Sequence, residues 1–292
     1  MLKVGSGMRV PFTFLALFAL GGALALFACQ SQPQREQSRA PSPETFLGFD
    51  RNLFPDPVVL PMLRRTFAFS GYWLGPPPGE TANTWTGRRE TLRGLGFGFL
   101  LLYRGPLERE LKNATAATQR GAADAQGAAA ATKREGFPAQ SIIFVDIEEG
   151  GRLSENYHAY LRTWSTQIQQ AGFRPGAYCS GIPVDEGGGV TINTADDIRA
   201  HLGSRDFSYF VFNDACPPAP GCAFPSHPPA PSAAGVAYAA VWQFVRSPQT
   251  EFSKHCPPGY HTDGNCYAPG DSSHRWFLDL STANSADPSN AR

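Results

Sequence analysis

The chain has 292 residues, 42% of them hydrophobic, with 25 Lys and Arg against 25 Asp and Glu and a formal net charge of zero. Setting aside Lys3 and Arg9 leaves 23 basic residues (25 less 2) against 25 acidic ones, which excludes the concentrated positive charge of a nucleic-acid footprint. The length left after the N-terminal segment suits one large domain of α/β barrel size.

Lys3 and Arg9 precede an almost wholly apolar run from Pro11 to Ala28, which Cys29 closes before polar residues begin. This is the pattern of a targeting segment. Leu26-Phe27-Ala28-Cys29 resembles the bacterial lipoprotein signal, so residues 1–29 are expected to be a signal peptide with Cys29 as the lipidated residue. An uncleaved signal anchor is the alternative, because the apolar run is nearly long enough to span a bilayer. Either attaches the chain to a membrane and places its bulk outside the cytoplasm. Residues 30–45 are rich in Gln, Ser, Pro and Arg without apolar periodicity and are read as a disordered tether.

From residue 46 to 292, strand-like and helix-like segments alternate. Phe46 to Asp50 is a short strand, Val58 to Arg65 a short helix, and Phe67 to Leu74 a strand broken by Gly75-Pro76-Pro77-Pro78-Gly79. Gly87 to Gly94 is a helix and Phe97 to Tyr103 an apolar strand. Leu107 to Glu135 reads as an Ala-rich helix, with a break expected near Arg120 because Gly121 and Gly127 weaken it. Ile142 to Val145 has the look of a parallel strand buried on both faces. Ser154 to Ala171 is the clearest helix, with Ser154 as N-cap, Tyr157, Tyr160, Leu161, Trp164 and Ile168 at helical spacing for the core, and Gly172 as its stop. Pro175 to Ser180 is a strand, Thr194 to Leu202 a helix capped by Thr194, and Phe207 to Phe212 a strand leading to Asn213-Asp214. After a Pro-rich loop, Tyr238 to Val245 and Trp276 to Leu280 are the last strands, separated by a long Cys-containing loop. Eight strands with helices between most of them fit a single-domain (β/α)8 TIM-like barrel, with late helices replaced by loops, better than a doubly wound sheet.

The cysteines fit export. Cys216 with Cys222 and Cys256 with Cys266 each bracket a Pro/Gly-rich loop, so local disulfides are the simplest pairing, though four cysteines allow three connectivities. A zinc site from Cys256, His261 and Cys266 is a second option, which an oxidising compartment disfavours. Cys179, on a strand, is expected to be a buried free thiol.

Chemistry concentrates in Ser141-Ile142-Ile143-Phe144-Val145-Asp146-Ile147-Glu148-Glu149-Gly150. Alternation along a strand puts Asp146 and Glu148 on one face and Glu149 on the other. Two carboxyls at the end of a buried strand are costly to desolvate and repel each other, an arrangement that separates carboxyl pKa values for acid/base work. In a barrel, active groups sit at the C-terminal ends of strands, where Asp50, Asp146, Glu148, Asp214, Gln243 and Asp279 are all expected. Tyr72, Trp73, Tyr103, Tyr178 and Trp242 are candidates to stack on a ligand, each with core packing as the alternative. The loop from Trp73 to Pro78 is the expected lip, and Arg51 and Arg104 follow strands where they can hold an anion or form surface ion pairs.

Taken in order, Gly48-Phe49-Asp50, Gly121-Ala122-Ala123-Asp124-Ala125, Gly136-Phe137-Pro138, the Asp146-Ile147-Glu148 strand end and Asp279-Leu280-Ser281 resemble the glycoside-hydrolase-like domain of exported bacterial cell-wall proteins, which is related to the family 25 lysozymes. The resemblance spans Phe46 to Ala283. It implies an exported protein that acts on peptidoglycan or a related cell-wall polysaccharide, with Glu148 as general acid/base, Asp146 assisting the reacting sugar, and Asp50 and Asp279 tuning and orienting. Tyr72, Trp73, Tyr103, Tyr178, Trp242 and Gln243 are the expected substrate contacts. No cofactor is implied, and no oligomeric state. Two other readings stay open: a barrel that binds wall glycan without cleaving it, and a metal-dependent phosphodiesterase or deacetylase with Asp50, Asp146 and Glu148 as oxygen ligands, which the lack of a His in that cluster disfavours.

Overall fold

Strand β1 (Phe46–Asp50) leads through a 3-10 turn into α1 (Leu60–Thr66) and β2 (Phe69–Trp73). Then come α2 (Arg89–Gly94), β3 (Gly98–Arg104), α3 (Ala114–Arg134), β4 (Ile142–Asp146), α4 (Glu155–Gln170) and β5 (Arg174–Ser180). A small hairpin of β6 (Val184–Gly187) and β7 (Val190–Ile192) precedes α5 (Thr194–Leu202), β8 (Ser208–Phe212), β9 (Val241–Val245) and β10 (Asp279–Ala283). These elements belong to a computed structural model, which describes residues 44–203, 206–213, 228–246 and 277–292. The expectations placed on the signal segment and Cys29, on nearly all of the tether, on Asp214, on Cys216, Cys222, Cys256 and Cys266 and on His261 lie outside the described residues.

Eight strands close a barrel in the order β1-β10-β9-β8-β5-β4-β3-β2. The fold is the expected TIM-like barrel, with a helix after each of the first five strands. Among the described residues no α-helix follows β8 or β9, and a 3-10 turn at Pro231–Ala234 precedes β9. Six neighbouring pairs are parallel, but β10 runs antiparallel to both β9 and β1. This corrects the placement of the last strand. It starts at Asp279, so that carboxylate stands at the strand's beginning and not near its end. Strand reversal carries it to the same mouth as the other strand ends, where Asp279 is in register with Asp50.

The two long helices follow from their sequences. Ser154 caps α4 by accepting a hydrogen bond from the Tyr157 N–H, and Tyr157, Tyr160, Leu161, Trp164 and Ile168 are all buried. In α3, Asn113 caps through the Ala116 N–H, and the helix runs unbroken through Arg120 to Arg134. The expected break is absent because the two glycines are contact points. A Cβ on Gly121 would stand 2.6 Å from the Tyr160 carbonyl oxygen of α4, and one on Gly127 2.9 Å from the Tyr103 hydroxyl. Close packing there outweighs the roughly 1 kcal/mol that each glycine costs a helix. The cap of α5 is Asn193, one residue before the Thr194 expected, and its Oδ1 accepts from the Asp196 N–H at 2.8 Å. Cys179 is a buried free thiol whose pKa burial pushes well up.

Candidate active site

Alternation along the barrel strands decides which side chains reach the interior. Asp50, Trp73, Leu102, Asp146, Tyr178, Phe210 and Gln243 each project inward from a different strand near its C-terminal end. With Asn52, Pro78, Glu148 and Asp279 they line a cleft of about 140 Å³ at the barrel mouth. The four acidic residues to which the resemblance gives catalytic roles, Asp50, Asp146, Glu148 and Asp279, therefore face one space, together with Trp73, Tyr178 and Gln243.

The other three aromatic candidates do not line it, and parity is the reason. Tyr72, next to inward Trp73, points outward. It is fully buried against Trp85, Phe99 and Phe137, and its hydroxyl donates to Glu135 Oε2 at 2.6 Å. Tyr103, next to Leu102, packs its ring 5.7 Å from that of Trp164 on α4. Trp242, next to Gln243, packs on Phe244 and donates its indole N–H to the Asn213 carbonyl at 2.9 Å. The cleft-lining residues not foreseen are Asn52, Leu102 and Phe210, while Pro78 belongs to the expected lip. Leu102 and Phe210 were reachable by counting in twos along β3 and β8 once an inward residue was known. Asn52 donates to the Pro78 carbonyl at 2.9 Å, which holds the expected lip against the end of β1.

A buried relay runs across the floor. The Tyr178 hydroxyl donates to Gln243 Oε1 at 2.7 Å, and Gln243 Nε2 donates to Asp50 Oδ2 at 3.1 Å. Burial raises the Asp50 pKa to about 7, with the Gln243 hydrogen bond pulling the other way. Asp146 is 4% exposed, and its pKa is raised well above the ordinary carboxyl value, first by burial, then by the Glu148 and Asp50 charges, while Arg104 opposes the shift. Glu148, two residues on, is exposed at the rim. Burial lowers the Arg51 pKa, and the Asp279 charge opposes that shift.

Two buried polar atoms beside the cleft, Asp146 Oδ1 and Trp73 Nε1, have no hydrogen-bond partner. Such atoms are costly to leave unmet and are natural contacts for a polar ligand. Glu149 turns away from this pair and ties two loops together, because its Oε1 accepts from the Glu108 N–H at 2.7 Å and so joins the loop after β4 to the loop after β3. Among the described residues, the one group of three metal-ligand side chains with donor atoms within 4.8 Å of one another lies outside this cleft.

Residues 76–208 match the family model of the Rv2525c-like, glycoside hydrolase-like domain. That span holds Asp146, Glu148, Tyr103 and Tyr178, while Asp50, Gln243 and Asp279 fall outside it. No curated protein matches the chain in sequence. An uncharacterized protein of B. stearothermophilus has a similar fold, with a TM-score of 0.52 and 18% identity over 82% of this chain and 95% of its own. The Tat-secreted protein Rv2525c of Mycobacterium tuberculosis aligns over 82% of this chain and 95% of its own at 15% identity, TM-score 0.44. The catalytic domain of the endolysin ply40 from bacteriophage P40 of Listeria monocytogenes aligns over 85% of this chain and 97% of its own at 14% identity, TM-score 0.45.

Proposed function

We propose that this chain is an exported hydrolase of cell-wall glycan, of the peptidoglycan class, and that the Asp146/Glu148 pair carries the reaction. The observation behind this is the convergence of Asp50, Asp146, Glu148 and Asp279 on one cleft beside Trp73 and Tyr178, in a domain that matches a glycoside hydrolase-like family. Export rests on the N-terminal segment: residues 1–29 as a lipoprotein-type signal with Cys29 as the anchor, residues 30–45 as a tether, and residues 46–292 as the working domain. Among the described residues no helix is long and apolar enough to cross a membrane.

Glycoside cleavage needs one carboxyl that donates a proton to the departing glycosidic oxygen and a second group that stabilises the cationic sugar carbon. Glu148 stands at the exposed rim, where a sugar chain can reach it, and acts as the acid and then as the base that activates water. Asp146 lies deeper, where burial and the neighbouring Glu148 and Asp50 charges favour its protonated form. Its carboxyl oxygen accepts a hydrogen bond from the acetamido N–H of the substrate and so orients the acetamido oxygen for attack at the sugar carbon. Trp73 supplies an aromatic face and an unmet indole N–H. The Tyr178–Gln243–Asp50 relay keeps the floor rigid.

The test is reducing-end release from purified peptidoglycan by the full chain beside Glu148→Gln. The wild type is expected to release sugar. The variant is expected to lose at least about a hundredfold in rate, the scale of general-acid catalysis, with unchanged thermal stability because Glu148 is exposed. Equal release by both would remove Glu148 from the chemistry. No release by either, with saturable glycan binding, would make the barrel a binding module.

A further inference from the structure

Away from the cleft, the seam between α4 and α5 gathers two histidines and two carboxylates. Glu155 and His158 are one turn apart on α4, and Asp197 and His201 one turn apart on α5, so each pair shares a helix face. Asp197 is fully buried. Its Oδ2 accepts from the Leu153 N–H at 3.0 Å and lies 2.8 Å from His158 Nε2. That carboxylate assigns the His158 proton to Nε2 and leaves the lone pair on Nδ1. His158 is 2% exposed, and its Nδ1 has no hydrogen-bond partner. Facing it at 3.6 Å is Glu155 Oε1, a second acceptor. His201 Nδ1 lies 2.9 Å from the Asp197 carbonyl oxygen, which assigns its proton to Nδ1 and frees Nε2.

A buried lone pair and a carboxylate oxygen facing each other without a donor between them call for a cation. Ligand atoms about 2.0–2.1 Å from a tetrahedral metal stand about 3.3 Å from one another, close to the 3.6 Å seen between Glu155 and His158. One ligand atom each from Glu155, His158 and His201 lies within 4.8 Å of the other two. Arg152, a cation beside the group, is already engaged: Glu186 of β6 holds it at 2.8 Å, and it lies 3.6 Å from Asp197 Oδ1.

We propose that Glu155, His158 and His201 form a divalent metal site of the zinc class that clamps α4 to α5, with water as the fourth ligand and Asp197 orienting His158 from behind. Two imidazoles and a carboxylate suit zinc and its borderline neighbours cobalt and nickel, and a carboxylate on the far nitrogen is the usual support of a ligating histidine. The Glu155 side chain is 83% exposed, so the site opens to solvent. The two imidazole rings are stacked 3.5 Å apart at 17°. A metal in the His158 plane lies off the His201 plane, so the 30% exposed His201 ring turns on loading and the stack opens.

The test is titration of the metal-free full chain with zinc chloride by calorimetry, with a parallel thermal melt and the visible spectrum of the cobalt-loaded protein. Glu155→Gln and His201→Gln are the variants, chosen because both side chains reach solvent, whereas replacing buried His158 would disturb the core. The wild type is expected to bind zinc with a rise in melting temperature, and each variant to bind at least about tenfold more weakly, with a changed cobalt spectrum and an unchanged metal-free melt. Zinc bound equally by wild type and both variants would place the metal elsewhere and overturn the proposal. So would the absence of zinc binding.

Discussion

Asp50 shows how much one buried proton can weigh. An exposed aspartate ionises near 3.8, whereas burial holds Asp50 at about 7. The folded state therefore favours the protonated form. The stability linked to that proton is fully present below pH 4 and is lost as pH rises through 7, a difference on the order of 4 kcal/mol. Asp50→Asn removes the titration and keeps an oxygen to accept the Gln243 hydrogen bond. Its melting temperature is expected to match the wild type near pH 4 and to exceed it at pH 8, with the gap opening between those values. A gap that did not change with pH would mean that Asp50 is not held protonated. Glu148 is the contrast at this scale: exposed at the rim, it is expected to matter for turnover and not for stability.

Among the elements, strand parity sorts the aromatic residues and one glycine sets the spacing beneath the site. On β2, inward Trp73 and outward Tyr72 differ by a single step, and the same holds for Leu102 and Tyr103 on β3 and for Gln243 and Trp242 on β9. Gly71, one strand over from Asp50, has no room for a side chain. A Cβ there would stand 2.4 Å from the Asp50 Cβ and 3.2 Å from its Cα. Gly71→Ala is therefore expected to push β1 from β2 at the carboxylate and to cost about 1–3 kcal/mol, read by chemical denaturation. The shift would also move Asp50 away from Gln243, so an unchanged stability would show that the two strands tolerate wider spacing.

For the whole molecule, closure is the dominant fact, and it happens at both ends of the barrel. At the cleft end, antiparallel β10 completes the ring and delivers Asp279 beside Asp50. At the opposite end, the C-terminal residues fasten the starts of β3 and β4. Asp287 Oδ1 accepts from the Phe99 N–H and Ser289 Oγ from the Leu101 N–H, while the Ser289 carbonyl accepts from the Ile142 N–H at 2.8 Å. Asp287 Oδ2 also accepts from the Ala291 and Arg292 N–H groups, which folds the tail onto itself. Asp287→Ala is expected to cost about 2 kcal/mol, since it strands backbone donors that a charged acceptor now satisfies. Denaturant midpoints would show it. Because the tail lies at the far end from the cleft, glycan turnover per folded molecule is expected to be unchanged.

The sequence alone was enough for the elements whose cause is local. The apolar run ending in Asp146 and Glu148, the capped amphipathic α4 and the alternation of strands and helices are set by residues a few positions apart, and they appear within a residue or two of where they are expected. The convergence of Asp50, Asp146, Glu148 and Asp279 on one mouth also follows from strand ends in a barrel, although Asp279 arrives there by a different route. What tertiary structure decided are the quantities that need the closed ring. The direction of β10 depends on its two neighbours and not on its own residues. Tyr72, Tyr103 and Trp242 face outward because the inside of a strand is defined by the barrel. Gly121 and Gly127 stay helical because Tyr160 and Tyr103 approach them from other elements. The Glu155, His158, Asp197 and His201 group exists because α4 and α5 lie side by side, and side chains some forty positions apart in the chain carry no local trace of that contact.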